Sequence, residues 1–448
     1  MKSNSVSPAR LTAFEILRRV ADGAYASVLL ASRADELSRL DRGLCHELVM
    51  GVLRRQLWLD RLIEHYANRK VAGLDESVRI VLRIGLYQLR FLSRVPASAA
   101  VNESVNLVHF ARVRSAGSFV NAVLRRATRE PEVDPTSNIH DPLERLSVAT
   151  SHPAWLLERW SQALGAAEAE AFAHANNEPA PIAFRVVKSR AQEADVCERL
   201  RAAGAELVPS KVAAGAWRIS GAGRLLGELA AAGKIYIQDE ASQLVALLLD
   251  VQPGQRVLDL CAAPGSKTTQ LADLSLDSAL IVASDLHEHR LRTVISSAQL
   301  QGLSSIHCVA LDGLQPLPLS EGSFDRVLVD APCSGTGTLR RNPEIRWRIS
   351  PADIEDLAGR QKQLLFNAAR AVRPGGCLVY STCSVEPDEN EDVVQTFLEN
   401  NEAFRLVDLA VDARLQTSLS AARTWPHREG TDGFFVCAFE RKGASGSV

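Results

Sequence analysis

Aromatic residues make up 5% of the 448-residue chain, methionine occurs twice, and nowhere do about 18 consecutive apolar residues follow one another, which excludes a membrane-spanning helix. The opening stretch MKSNSVSPARLTAFEILRRV lacks the unbroken apolar run and small-residue cleavage site of a signal peptide, so a soluble cytoplasmic protein is expected. Eight cysteines are present, but none forms a C-x-x-C pair or a Cys/His cluster at zinc spacing. Neither a disulfide framework nor a metal site is expected. Cys45, Cys197, Cys308, Cys377 and Cys437 fall in apolar helix or strand patterns and read as small buried hydrophobes. Lysine is scarce at one end: residues 1–129 hold 21 Lys and Arg, only two of them Lys, against 11 Asp and Glu. The net charge of −2 hides this basic end, which points to a polyanionic partner.

What is present is an ordinary globular composition, 46% hydrophobic and 23% charged, in a length that suggests two or three domains. Residues 1–135 read as all helix. In DESVRIVLRIGLYQLRFL the spacing puts Arg79, Arg83 and Arg90 on one helical face and Val78, Val81, Leu82 and Leu89 on another. Arginine suits phosphate forks and base stacking, so an RNA-binding helical module is favoured over a merely solvated face. Residues 136–153, broken by Pro142 and Pro153, read as a linker. Residues 154–234 mix helix candidates (AWLLERWSQALG, AQEADVCERLRAAG) with strand candidates (PIAFRVV, AWRIS) in a small α+β domain. From 235 to 442 strand, loop and helix alternate, which predicts a doubly wound α/β domain with a parallel sheet.

Within that domain RVLDL leads into CAAPGSKTTQLADL, a strand, a small-residue loop and a helix. Loop amides and a helix N-terminus suit a ligand with anionic or carboxylate groups. The loop matches neither G-x-G-x-x-G nor G-x-x-x-x-G-K-[ST], which weakens dinucleotide and P-loop readings. Successive strands end at or near acids: Asp259, Asp285, Asp312 and Asp330. In an open parallel sheet these ends face one crevice, where ligands bind. Cys333 in VDAPCSGTG and Cys383 in YSTCSVE also follow strands, and spacing alone does not tell their roles apart. Downstream, TLRRNPEIRWR groups Arg340, Arg341, Arg346 and Arg348 around Trp347, which reads as a phosphate grip with an aromatic platform.

CAAPGSK, the Asp285 strand end, DAPCSGTG and YSTCS, in this order, resemble motifs I, II, IV and VI of the RsmB/NOP family of S-adenosylmethionine-dependent RNA cytosine-5 methyltransferases. YIQDEASQL resembles the segment before motif I, and RIGLYQLRFL, VNESVNL and FVNAVLRR resemble NusB-type RNA-binding helices. The resemblance implies a NusB-like helical domain, a small α+β (RRM-like) domain and a Rossmann-like methyltransferase domain. It implies S-adenosylmethionine as cofactor, bound by Cys261, Ala262, Ala263, Pro264, Gly265, Ser266, Lys267, Asp285, Asp312 and Asp330. Ser266 stands where the family more often has glycine, and slight change in cofactor affinity is expected from it.

Cytosine C5 is a poor nucleophile until a thiolate adds to C6. By resemblance Cys383 is that nucleophile, Cys333 helps resolve the covalent adduct, Asp330 polarises the base, and Lys267 assists at the same edge or contacts the loop. The implied substrate is a cytosine of 16S rRNA, cytosine 967 at the family's site, in free RNA or an early-assembling small subunit, with a monomeric enzyme and no membrane. Alternatives are a transfer RNA, other RNA or DNA cytosine methyltransferase, and a non-catalytic RNA-binding factor of the NusB antitermination type. The DNA enzymes pair their cysteine with an E-N-V motif that is absent here.

Overall fold

The computed structural model describes residues 6–33 and 36–443. By its internal packing the chain divides into two compact units: residues 6–179 together with Leu339–Arg348, and the remainder from Ala180 onward.

The first unit is helical. Several of its helices begin at prolines or just after them, because proline lacks the N–H that a first turn leaves unbonded. Pro8 opens Pro8–Ala21, Pro142 opens Pro142–Thr150, and Pro96 and Pro153 are the residues before Ala97–Phe110 and Ala154–Leu164. The stretch expected as a linker therefore contains a nine-residue helix, with the Asp141 carboxylate accepting from the Glu144 N–H at 2.7 Å. Arg55, with φ −117° and ψ 23°, divides the run 39–67 into Arg39–Arg54 and Gln56–Ala67. Glu76–Phe91 is the central helix. The Asp75 side chain caps it, and ten of its sixteen residues are buried. Gly85 is required there, since a Cβ would lie 2.7 Å from a Leu124 methyl of the helix Gly117–Arg129. Ala154–Leu164 and Ala166–Ala175, both of which fall within the residues 154–234 that the sequence reading placed in the α+β domain, pack in this helical unit, with Trp160 buried against Phe172.

The second unit holds two sheets. β1 (Ile182–Val186), β2 (Glu206–Pro209), β3 (Ala216–Ser220) and β4 (Ile235–Ile237) form an antiparallel sheet in the order β2-β3-β1-β4. With the helices Glu193–Ala202 and Gly223–Ala231 the chain order is βαββαβ, a ferredoxin-like arrangement. The larger sheet contains β5 (Arg256–Asp259), β6 (Leu280–Asp285), β7 (Ile306–Ala310), β8 (Phe324–Asp330), β9 (Val372–Thr382), β10 (Phe404–Val407), β11 (Ala422–Thr424) and β12 (Phe434–Arg441). Its order is β10-β12-β9-β8-β5-β6-β7, with β11 beside β12. β5 to β9 run parallel and β12 runs antiparallel to β9 and β10. The stretch Arg373–Gly376 lies within β9, where the register to β8 slips between Phe324 and Arg326.

Alternate residues of each central strand feed opposite faces of the sheet. Val257, Ile281, Leu328 and Val379 join one core; Leu258, Val327, Val329, Leu378 and Tyr380 join the other, against the helix Pro351–Ala371. The strand order reverses between β5 and β8, which opens a crevice at their carboxyl ends.

Candidate active site

β5 ends at Asp259, whose carboxylate is buried. Its Oδ2 accepts the Thr268 hydroxyl at 2.7 Å, while Oδ1 has no hydrogen-bond partner. Burial pushes this carboxyl up to about 7 from its ordinary 3.8. The loop Cys261–Gly265 then turns, with a cis Ala263–Pro264 bond, into the helix Ser266–Leu274. The Ala262 N–H donates to the Ser284 carbonyl at 2.8 Å, and the Ala263 carbonyl accepts from Arg290 at 3.1 Å, so the loop is tied to β6 and to the helix Glu288–Gln301. Burial raises the Cys261 thiol far above its ordinary range. Gly265 has φ +104°, and a Cβ there would stand 3.0 Å from Val294 Cα. The left-handed backbone thus belongs to Gly265. Ser266 is the first helical residue and has no positive φ, so its side chain imposes no backbone strain.

Asp285 ends β6. It accepts the His287 N–H at 3.0 Å and forms an ion pair with Arg290 at 3.0 Å. Asp312 lies two residues beyond β7 and accepts the Leu314 N–H of its own turn at 2.9 Å. Asp330 ends β8 between two partners: Ser381 of β9 donates to Oδ1 at 2.7 Å, and Lys267 Nζ lies 2.6 Å from Oδ2. Lys267 is itself nearly buried, with its ammonium 5.1 Å from the centre of the Phe434 ring. A lysine from the loop helix is thereby fixed to the acid at the next strand end.

Cys333 and Cys383 meet, with their Sγ atoms 3.2 Å apart. The Cys383 contact, burial and the nearby Glu389 all push the Cys333 thiol up. Gly337 and Gly433 let three loops close around the pair. The Gly337 N–H donates to the Cys383 carbonyl at 2.9 Å and the Gly433 N–H to the Gly337 carbonyl at 2.8 Å, while a Cβ on Gly337 would stand 2.0 Å from Gly433 O.

Of the arginines expected to hold RNA, Arg79, Arg83, Arg90, Arg346 and Arg348 have protein partners. Arg83 makes a two-pronged pair with Asp60, both bonds 2.7 Å. Arg90 donates to Tyr66 Oη at 2.6 Å and the Ala127 carbonyl at 3.1 Å, and Arg79 pairs with Glu76 at 2.8 Å. Within the helical unit, Arg346 is fully buried and donates to the carbonyls of Thr150, Ser151 and Asn176 and to Asn177 Oδ1. Arg348 donates to the carbonyls of Val20, Gly23 and Ala24 at the end of Pro8–Ala21. Arg340 is buried, its carbonyl accepting from Arg54 at 2.7 Å; Arg341 and Trp347 are half-buried. Arg346 and Arg348 of the segment expected as a phosphate grip therefore cap helix ends, where unbonded carbonyls attract guanidinium as a phosphate would.

The chain is 35% identical over 459 residues to the probable ribosomal RNA small subunit methyltransferase B of Bacillus subtilis, covering 99% of this chain and 100% of that protein. It belongs to the RsmB/F family. The family model described as 16S rRNA methyltransferase RsmB/F matches residues 246–440, the NusB family model residues 7–129, and the RsmF/B-like ferredoxin-like domain residues 152–225. The ribosomal RNA small subunit methyltransferase B of Pseudomonas syringae pv. tomato is 36% identical, with 97% of this chain and 98% of that protein covered. The crystal structure of PH0851 superposes with a TM-score of 0.86 at 28% identity, over 98% of this chain and 99% of that one.

RsmB/F proteins are S-adenosylmethionine-dependent, and the residues here fit such a ligand. The orphaned Asp259 Oδ1 is a buried acceptor suited to a positive centre, the Cys261–Gly265 loop opens a helix N-terminus suited to a carboxylate, and Asp285 ends β6 where hydroxyls can be bound. Sequence reading missed Ser381, Phe434 and Glu389. Ser381 was recoverable from strand alternation beside Asp330; for the other two no local pattern marks the residue.

Proposed function

We propose that this RsmB/F protein methylates C5 of one cytosine of 16S rRNA, cytosine 967 at the family's site, acting as a cytoplasmic monomer on free RNA or an early-assembling small subunit. The single observation that carries the reading is the pair of thiols 3.2 Å apart at the carboxyl ends of β8 and β9, beside the Lys267–Asp330 pair. S-adenosylmethionine, when bound, supplies the methyl group. Cys383 Sγ, as thiolate, adds to C6 of the cytosine and turns C5 into an enamine carbon. Once C5 carries its new substituent, it loses its proton to a base and the C6–S bond breaks, returning Cys383. Cys333, touching Cys383, assists that release. At 3.2 Å either thiol can donate to the other, and Cys383 is assigned as the attacking sulfur on the family resemblance. Asp330, held by Lys267 and Ser381, is placed to bond the N3 or exocyclic amino edge of the base. Asp285 and Asp312 are assigned to the cofactor's ribose and adenine, and the basic helical unit to docking RNA.

Bisulfite sequencing of rRNA from cells with and without the gene tests the substrate, and an unchanged methylation pattern rules it out. Cys383→Ala is expected to abolish turnover without a covalent RNA adduct, whereas Cys333→Ala accumulates one. Exchanged outcomes overturn the division of labour.

A further inference from the structure

The two thiols do not touch each other by virtue of their own strands alone. Each is followed by a serine, Ser334 and Ser384, and both serines bond the same carboxylate. Glu389 lies in the short turn Pro387–Glu389 and is fully buried. Its Oε1 accepts the Ser334 N–H at 2.8 Å and Gln361 Nε2 at 2.9 Å; its Oε2 accepts the Ser384 hydroxyl at 2.5 Å and the Ser334 hydroxyl. Gln361 also donates to the Pro332 carbonyl at 2.9 Å, and Tyr380 Oη donates to the Glu389 carbonyl at 2.6 Å. A carboxylate out of water is stable only when its lone pairs are met, and here four donors meet them. Those donors come from the residues after both cysteines and from the helix Pro351–Ala371 that backs the sheet.

We infer that Glu389 is a positioning residue for the thiol pair: by bonding the residue after Cys333 and the residue after Cys383 at once, its carboxylate sets the distance between the two sulfurs. The effect on turnover rests on the roles proposed above for Cys383 and Cys333; the effect on spacing does not. Glutamine keeps an oxygen for the Ser334 N–H and Gln361, and its amide can donate to a serine hydroxyl that rotates to accept. Alanine removes the one acceptor that the four donors share.

The test uses the full chain as wild type, Glu389→Ala and Glu389→Gln, treated with dibromobimane, which becomes fluorescent when it bridges two thiols. The Cys333–Cys383 bridge is confirmed by peptide mass spectrometry. Bridging is expected to slow at least about tenfold in Glu389→Ala, as a displacement of about 1 Å between reacting groups can do, and to stay within a few-fold of wild type in Glu389→Gln. S-adenosylmethionine binding, which uses the β5–β6 side of the crevice, is retained in both. Steady-state kinetics is expected to show the loss in kcat with little change in KM for RNA. Bridging at the wild-type rate in Glu389→Ala overturns the inference. Should Glu389→Ala fail to fold, the double variant Ser334→Ala, Ser384→Ala decides: slowed bridging supports the role and unchanged bridging overturns it. A wild-type protein that methylates no RNA, yet shows this loss of bridging in Glu389→Ala, disposes of the proposed substrate and leaves the positioning role standing.

Discussion

Replacing Arg346 by alanine separates a cap from a phosphate grip. The guanidinium is fully buried and has four acceptors, at 2.9, 3.1, 3.3 and 3.4 Å. The two shorter bonds are charge-assisted and contribute about 1.5–3 kcal/mol each, while the longer two add little. Against this stands the desolvation of the cation, visible in a pKa driven down to about 9, which the substitution relieves. Alanine also takes the donor from the Ser151 and Asn176 carbonyls, just past the ends of Pro142–Thr150 and Ala166–Ala175, and opens a cavity. The net loss is about 3 kcal/mol, toward the upper part of the range for single substitutions. Urea unfolding of the full chain, followed by far-ultraviolet circular dichroism, should show a helical transition moved to a clearly lower midpoint. The salt dependence of RNA binding by the folded variant should keep its slope, because no phosphate contact has been removed. A variant with the wild-type midpoint and a salt slope lower by about one would refute the capping assignment, since that is the signature of one lost phosphate contact.

Two further predictions concern the cofactor crevice. Asp259, raised by burial to about 7, carries its charge only as pH climbs through that value. Its folded pKa lies above the unfolded one, so it favours folding at low pH and this contribution is lost between about pH 4 and pH 7. Affinity for a cationic ligand runs the other way. By calorimetry, S-adenosylmethionine binding should strengthen about tenfold from about pH 6 to about pH 8, in step with the ionised fraction, and Asp259→Asn should flatten the profile. A wild-type profile as flat as that of the variant would remove Asp259 from the ligand. Gly265→Ala places a Cβ 3.0 Å from Val294 Cα on a backbone with φ +104°, which costs about 1–3 kcal/mol. Its thermal midpoint and cofactor affinity should both fall; wild-type values for both would mean that the loop relaxes freely.

The architecture of the second unit was readable because the patterns that mark it are local. Short β-rich runs ending in acids announce a parallel sheet, and the fold brings Asp259, Asp285 and Asp330 to one edge as that pattern implies. The arginines were harder to read for a physical reason. A spacing of four and seven puts Arg79, Arg83 and Arg90 on one face of Glu76–Phe91, but does not say what that face meets. It meets Asp60 and Tyr66 of Gln56–Ala67 and the last turn of Gly117–Arg129. Likewise Arg346 and Arg348 carry the charge that phosphates and helix carboxyl ends both attract, and only the packed structure shows which one they have. Glu389 sits in VEPDENED, an acidic run in which nothing local distinguishes a buried residue from Asp388 beside it.

The third wall of the thiol site follows from strand direction. Ligand crevices in parallel sheets form at carboxyl ends, so a strand entering antiparallel should bring its beginning to that edge. β12 does this: Phe435 pairs with Thr382, the residue before Cys383, and Phe434 starts the strand. The segment Thr431–Gly433 before it is therefore delivered to the thiols, and Phe434 to the ammonium of Lys267. Space there is set by backbone alone, since Gly433 lies so close to Gly337 that neither loop admits a Cβ on Gly337 without moving. The small residues around Cys333 thus do two things in DAPCSGTG. Ser334 bonds the carboxylate that ties it to Ser384, and Gly337 lets a loop from the far end of the chain close on the same pair of sulfurs.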